Sequence, residues 1–288
     1  MFRSYSFLFI ILCFCMFESW AAKNTYRPTH SALVVDFATN KVLYHENANV
    51  RVNPASLTKM MTIYIAFEQI AKGKISMHQK LKISKKAASQ PRSNIGLKQG
   101  TTITLKEAIL SLIVRSANDS AVVIAEAISN NEESFAKLMN QRAKQLGMKG
   151  TYFTNASGWH HKRQKTTAID MAKLALALKR DYGQFYHLFS RTSFYYKNRL
   201  FKGHNHVLTQ LKGAEGMKTG YTSNAGWNLV TTAKQGKTRL VGVIIGGASW
   251  QSRDKKMVQL MNAHFKKLNN QNVKAYTKTV NKITKKTA

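Results

Sequence analysis

The sequence predicts an α/β (α+β) fold: an antiparallel sheet assembled from both ends of the chain and flanked by helices, with a mostly α-helical insert between the two halves. Three observations carry this. Two short β-branched and aromatic runs stand near the N-terminus, helix signals dominate the middle, and a hairpin pattern followed by an amphipathic helix comes after Gly203. With 288 residues and 44% hydrophobic content, the chain can fill a sizeable core.

Ser31 to Phe37 and Val42 to His45 are expected as paired strands joined by Ala38-Thr39-Asn40-Lys41. Asn53 before Pro54 predicts an N-cap with proline at the first helical position, opening a helix from Ala55 through Ala71 that ends near Gly73. Thr104-Leu105-Lys106-Glu107 is a capping box, and the apolar run Ala108 to Val114 makes a helix that ends just before Ser116. Further helices are expected at Ser120 to Ile128, at Glu132 to Leu146 with Gly147 as C-cap, and at Thr167 to Lys179, where Thr167 and Asp170 repeat the box. Gly226 to Ala233 and Thr238 to Gly246 then form a hairpin around Lys234-Gln235-Gly236-Lys237. Ser252 is expected to cap a last helix whose Met257, Leu260, Met261, Phe265 and Leu268 form one apolar stripe.

At the N-terminus, Arg3 precedes the apolar run Phe7 to Phe17, and Ser19-Trp20-Ala21 places small residues where a signal peptidase reads. Residues 1–21 are therefore expected to be a cleaved signal peptide, and the periplasm the destination. The apolar run falls well short of the roughly 20 residues needed to span a bilayer. Cys13 and Cys15 both lie inside it, so the mature chain is expected to hold neither thiol nor disulfide. The mature protein is expected as a single domain over 22–270, with a helical subdomain at about 66–190, followed by a basic, flexible tail at 271–288.

Charge adds a constraint on partners. Against 45 Lys+Arg stand 13 Asp+Glu, a net charge of +32, and the stretch between Glu68 and Glu107 holds nine basic residues and no acidic one. Such a balance speaks to solubility and anionic partners, not to architecture. No nucleic-acid-reading motif accompanies it, so nucleic acid is not an expected partner. An anionic wall or membrane surface fits the charge better.

Three motifs in one order point to acyl transfer: Ser56-Leu57-Thr58-Lys59, then Ser116-Ala117-Asn118, then Lys218-Thr219-Gly220. A serine hydroxyl is a poor nucleophile until a neighbouring base takes its proton. Lys59, three residues after Ser56, shares its helix face. To act as a base it must be neutral near pH 7, which requires burial or a nearby cation such as Lys218. Ser116 is expected to pass the proton to the leaving nitrogen, and Asn118 to hold a substrate amide. Lys218 and Thr219, on an edge strand, are expected to align an extended peptide and bind its carboxylate. Gly220 suits a strand position where bulk would block approach. The backbone N–H groups of Ser56 and Tyr221 are the expected oxyanion hole.

These motifs, with the strings Pro54-Ala55-Ser56-Leu57-Thr58-Lys59-Met60-Met61-Thr62, Thr167-Ala168-Ile169-Asp170-Met171-Ala172 and Glu215-Gly216-Met217-Lys218-Thr219-Gly220-Tyr221-Thr222, resemble the low-molecular-mass penicillin-binding proteins, the D-alanyl-D-alanine carboxypeptidases of the serine peptidase class. The resemblance covers nearly the whole mature length. It implies a β-lactamase/transpeptidase-like fold, Ser56 as nucleophile, Lys59 as base, and an acyl-enzyme formed by both peptidoglycan stem peptides and β-lactams. Arg253 is a candidate for the terminal carboxylate. No cofactor is implied. Many members carry a second β-rich domain and a C-terminal anchor, for which the residues after the last expected helix leave no room.

Two other functions compete with removal of the terminal D-alanine from pentapeptide stems. One is DD-endopeptidase cleavage of cross-links at the same site, and the other a non-catalytic, basic cell-wall-binding protein. A β-lactamase is disfavoured, because the loop from Gly158 to Thr167 lacks the acidic residue that deacylation needs in class A enzymes. His160-His161 and His204-Asn205-His206 lack partners at metal-ligand spacing, so no metal site is expected. Trp159, Tyr221 and Trp227 are candidates to line a peptide groove.

Overall fold

A computed structural model describes residues 30–284, with backbone alone from 272 onward. The expected signal peptide lies outside the described residues. Strand β1 (Ser31–Asp36) pairs antiparallel with β2 (Val42–Glu46), and the turn between them uses Asn40 at φ 58°. A 3-10 turn at Ala55–Thr58 runs straight into α1 (Lys59–Ala71). The expected cap at Asn53 is not formed. Pro54 already has helical φ and ψ and occupies the cap position with no side-chain hydrogen bond.

β3 (Lys80–Lys82) and β4 (Thr102–Thr104) make a small sheet around α2 (Lys85–Ala88). The capping box at Thr104 and Glu107 forms with both of its bonds and starts α3 (Leu105–Val114). Then come α4 (Asn118–Ser129), α5 (Glu132–Gln145) and α6 (Ala168–Asp181). The box expected at Thr167 is only half made. Thr167 accepts from the Asp170 backbone, but the Asp170 carboxylate turns away to Gly150 N and Thr151 Oγ1, each at 2.8 Å, tying the preceding loop to the helix.

A 3-10 segment (Gly183–Ser190), a second small hairpin of β5 (Ser193–Tyr196) and β6 (Arg199–Lys202), and α7 (Val207–Gln210) lead to β7 (Ala214–Thr222), β8 (Gly226–Gln235) and β9 (Thr238–Gly247). The main sheet is antiparallel throughout, in the order β2-β1-β9-β8-β7. Both ends of the chain build it, as expected, and β7 is left at an edge.

Alternation along the strands splits the core into two layers. Leu33, Val35, Val230, Val241, Val243 and Ile245 pack with α1, α3, α4 and α6. Ala32, Val34, Leu229, Ala233, Leu240 and Ile244 meet Met257, Met261 and Phe265 of α8 (Trp250–Thr284) on the other face. α8 starts before the expected Ser252: Ser249 Oγ accepts from Ser252 N at 3.1 Å and holds the first turn. The helix also continues to Thr284, through most of the segment expected as a flexible tail. No glycine or proline interrupts residues 250–284.

Candidate active site

Ser56 sits in the 3-10 turn and Lys59 is the first residue of α1, so the turn holds their side chains on one side. Lys59 Nζ lies 3.0 Å from Ser56 Oγ, 2.7 Å from Asn118 Oδ1 and 2.5 Å from Ser157 O. Lys59 is fully buried. Its pKa is held well below the usual lysine range, first by burial and then by the charge of Lys218. A neutral amine has two N–H groups and one lone pair. In that form, with Asn118 Oδ1 and Ser157 O taking both hydrogens, the lone pair would face the Ser56 hydroxyl.

Asn118 opens α4, and its other amide atom fixes its orientation: Nδ2 donates to Pro91 O at 3.0 Å, while its backbone N donates to Ser93 O at 2.7 Å. The loop at 90–97 is held further by Asp119, whose buried carboxylate accepts from Ile95 N and Leu97 N, each at 3.1 Å, and from Ser120 N at 2.8 Å. Burial raises its pKa against those bonds.

Ser116 lies between α3 and α4 at φ 61°, a left-handed conformation that costs a non-glycine residue about 1–3 kcal/mol and is typical of functional sites. Its hydroxyl accepts from Lys218 Nζ at 2.9 Å, and Lys218 also donates to Thr219 O at 2.8 Å. Burial, then the charge of Arg253, brings Lys218 down to about 7. Gly220 meets the expected need for close approach: a Cβ there would stand 3.1 Å from Ser56 N and 3.2 Å from Leu57 N. At Gly158, φ is +85° and a Cβ would come within 2.0 Å of Ala55 O, so this loop and the serine turn also touch at backbone distance.

Ser56, Ser116, Asn118, Thr219, Gly220, Tyr221 and Arg253 all line one cleft of about 420 Å³. Lys59 and Lys218 lie buried beside it. Arg253 is not a surface residue. It is 2% exposed, bonded to Asp254 at 2.7 Å and to Asn228 O at 3.2 Å, and stacked 5.9 Å from Trp227. Tyr221 packs on Trp227 with centroids 4.2 Å apart, and Trp159 lines the cleft as expected.

Sequence reasoning missed several contributors. Asn228 is completely buried and joins the serine turn to the sheet, donating to Asn53 O and Pro54 O at 3.2 Å and accepting from Gly246 N at 2.9 Å. Ser157 reaches Lys59 through its backbone carbonyl, a contact that leaves no side-chain signature. His204 and His206 line the cleft, with His204 held by Arg115 at 2.8 Å and His206 stacked on Trp250 at 4.8 Å. Among the described residues, no three metal-ligating side chains converge.

Known proteins share this arrangement of chain. A family model described as D-alanyl-D-alanine carboxypeptidase matches residues 20–249. The D-alanyl-D-alanine carboxypeptidase DacF of Bacillus subtilis is 34% identical over 279 residues, which is 93% of this chain and 70% of that protein. DacC of Escherichia coli, also a D-alanyl-D-alanine carboxypeptidase, is 32% identical over 81% of this chain, which spans only 60% of the relative's length. The crystal structure of penicillin binding protein 5 from Haemophilus influenzae superposes with a TM-score of 0.78 at 31% identity, covering 83% of this chain and 72% of the other. With the serine, lysine and asparagine motifs meeting in one cleft and the family match running through all of them, the chain belongs to the D-alanyl-D-alanine carboxypeptidase family.

Proposed function

We propose that the protein is a serine D-Ala-D-Ala carboxypeptidase that removes the terminal D-alanine from peptidoglycan pentapeptide stems. The observation that carries this is the fully buried Lys59 amine, set 3.0 Å from Ser56 Oγ and bonded to Asn118 Oδ1 and Ser157 O, with burial and the charge of Lys218 both lowering its pKa. Ser56 Oγ attacks the carbonyl carbon of the D-Ala–D-Ala bond as its proton passes to Lys59 Nζ. The backbone N–H groups of Ser56 and Tyr221 receive the oxyanion. Ser116, whose hydroxyl accepts from Lys218, hands the proton that Lys59 took from Ser56 on to the leaving nitrogen, so D-alanine departs and Lys59 is neutral again. Water, deprotonated at Lys59, then releases the acyl group from Ser56. Asn118 holds the substrate amide, and Lys218, Thr219 and Arg253 bind its terminal carboxylate.

A β-lactam presents a strained amide and a carboxylate at similar spacing, so the same steps acylate Ser56. Export to the periplasm through the leader at 1–21, and contact between the basic surface and an anionic wall or membrane surface, belong to the same proposal. The test is product analysis. Purified protein is incubated with a pentapeptide monomer and with a cross-linked dimer, and intact mass is measured after penicillin. Release of D-alanine from the monomer and a penicillin adduct on Ser56 are expected. Consumption of the dimer alone would assign an endopeptidase, and wall binding unchanged by Ser56→Ala with no adduct in the parent would assign a binding protein.

A further inference from the structure

Two arginines, Arg92 and Arg253, line the cleft, and no aspartate or glutamate does. Arg253 has an internal partner in Asp254. Arg92 has none: its side chain is exposed and makes no ion pair among the described residues. Its backbone is nevertheless fixed from both sides, by the bond from Asn118 Nδ2 to Pro91 O and by Ser93, whose carbonyl accepts from Asn118 N and whose hydroxyl donates to Arg115 O at 2.7 Å. Asp119, the acid that holds this loop, is buried under three backbone N–H groups and is not free to pair with it.

A stem peptide brings one carboxylate to Lys218, Thr219 and Arg253, and this accounts for one cationic pole only. We propose that Arg92 binds a second carboxylate, carried on the side chain of the residue that precedes the D-alanine pair, so the substrates are stems with a free acid at that position. This rests on the carboxypeptidase reading of the site. With the scissile carbonyl at Ser56 and the preceding amide at Asn118, an extended chain rising about 3.3 Å per residue passes next beside the 90–97 loop. A planar guanidinium free of internal partners suits bidentate capture of a carboxylate there. A lysine-like ammonium at that position meets like charge instead.

The experiment compares three peptides, identical except for the residue before D-Ala-D-Ala: one with a side-chain carboxylate, its amidated form, and one with lysine. Wild-type protein should favour the acid over the amide by roughly three- to tenfold in kcat/KM, the range for a partly exposed charge-assisted pair. Lysine should be poorest, and added salt should shrink the preference. In Arg92→Gln the acid-to-amide ratio should fall to about one, with the amidated peptide and penicillin acylation as references for folding and chemistry. Calorimetry on Ser56→Ala reads the same difference as binding alone. A wild-type ratio near one, or a ratio unchanged in Arg92→Gln, overturns the assignment. Absence of both peptide hydrolysis and a Ser56 adduct in the wild type overturns the underlying carboxypeptidase reading instead, and this assignment with it.

Discussion

Asn118 Oδ1 accepts a hydrogen from Lys59 Nζ at 2.7 Å, joining the first residue of α4 to the first residue of α1 across 59 positions of sequence. The contact does more than pack two helices. A neutral amide oxygen takes a hydrogen without favouring the ammonium form as a carboxylate would. The asparagine therefore keeps the amine oriented while burial lowers its pKa.

Asn118→Asp tests that distinction with almost no change of shape. An anion 2.7 Å from Nζ would raise the Lys59 pKa, the usual effect of an adjacent opposite charge. Penicillin acylation at pH 7 should fall roughly 10- to 1,000-fold and recover in part at higher pH. A drop with no change in the pH profile would contradict the account.

Lys218 acts on Lys59 through its charge, the second cause of the depressed pKa after burial. In Lys218→Gln the acid limb of acylation should therefore move to higher pH, whatever the loss in maximal rate. The position of the limb, read from rates at a series of pH values, is the measurement.

The same group links stability to pH. Burial brings Lys218 to about 7 in the folded protein against 10.5 for a solvated lysine, so between these values the unfolded chain binds more protons and stability from this group rises with pH. Below about 7 both states are protonated and the burial penalty is complete. Lys218→Met should be more stable than its parent by an amount that shrinks from pH 7 to pH 9.5. Urea melts at the two pH values check this, and a constant difference would refute it.

Asp119→Ala removes the acceptor for Ile95 N and Leu97 N. Leaving buried N–H groups unpaired costs about 1–3 kcal/mol each, so a lowered melting temperature and a raised KM are expected together. Gly158→Ala should be worse for catalysis, because its Cβ would enter the space of Ala55 O, beside the nucleophile. A variant with unchanged acylation rate would show the serine turn to be softer than its contacts imply.

Much of this was legible in the sequence, for reasons that differ between elements. The box at Thr104 and Glu107 is local chemistry and survived intact. The serine and lysine of the first motif are fixed by helical spacing alone. Asp170 misled because a distant loop offered its carboxylate better partners than its own cap. The strand pairs β3–β4 and β5–β6 were missed because strands of three or four residues give alternation too short to recognise. Asn228 and Ser157 O act through contacts about a hundred or more residues away, which no local pattern reports.

α8 binds two obligations into one rod. Its first turn offers Trp250 and Arg253 to the cleft, and its next turns bury Met257, Met261 and Phe265 against the sheet. A lineage under antibiotic pressure that tried to reshape that wall by tilting the rod would loosen the underside of the sheet at the same time. Escape by moving this helix is therefore coupled to loss of the fold, which makes the Trp250–Arg253 side a durable surface for an inhibitor to grip.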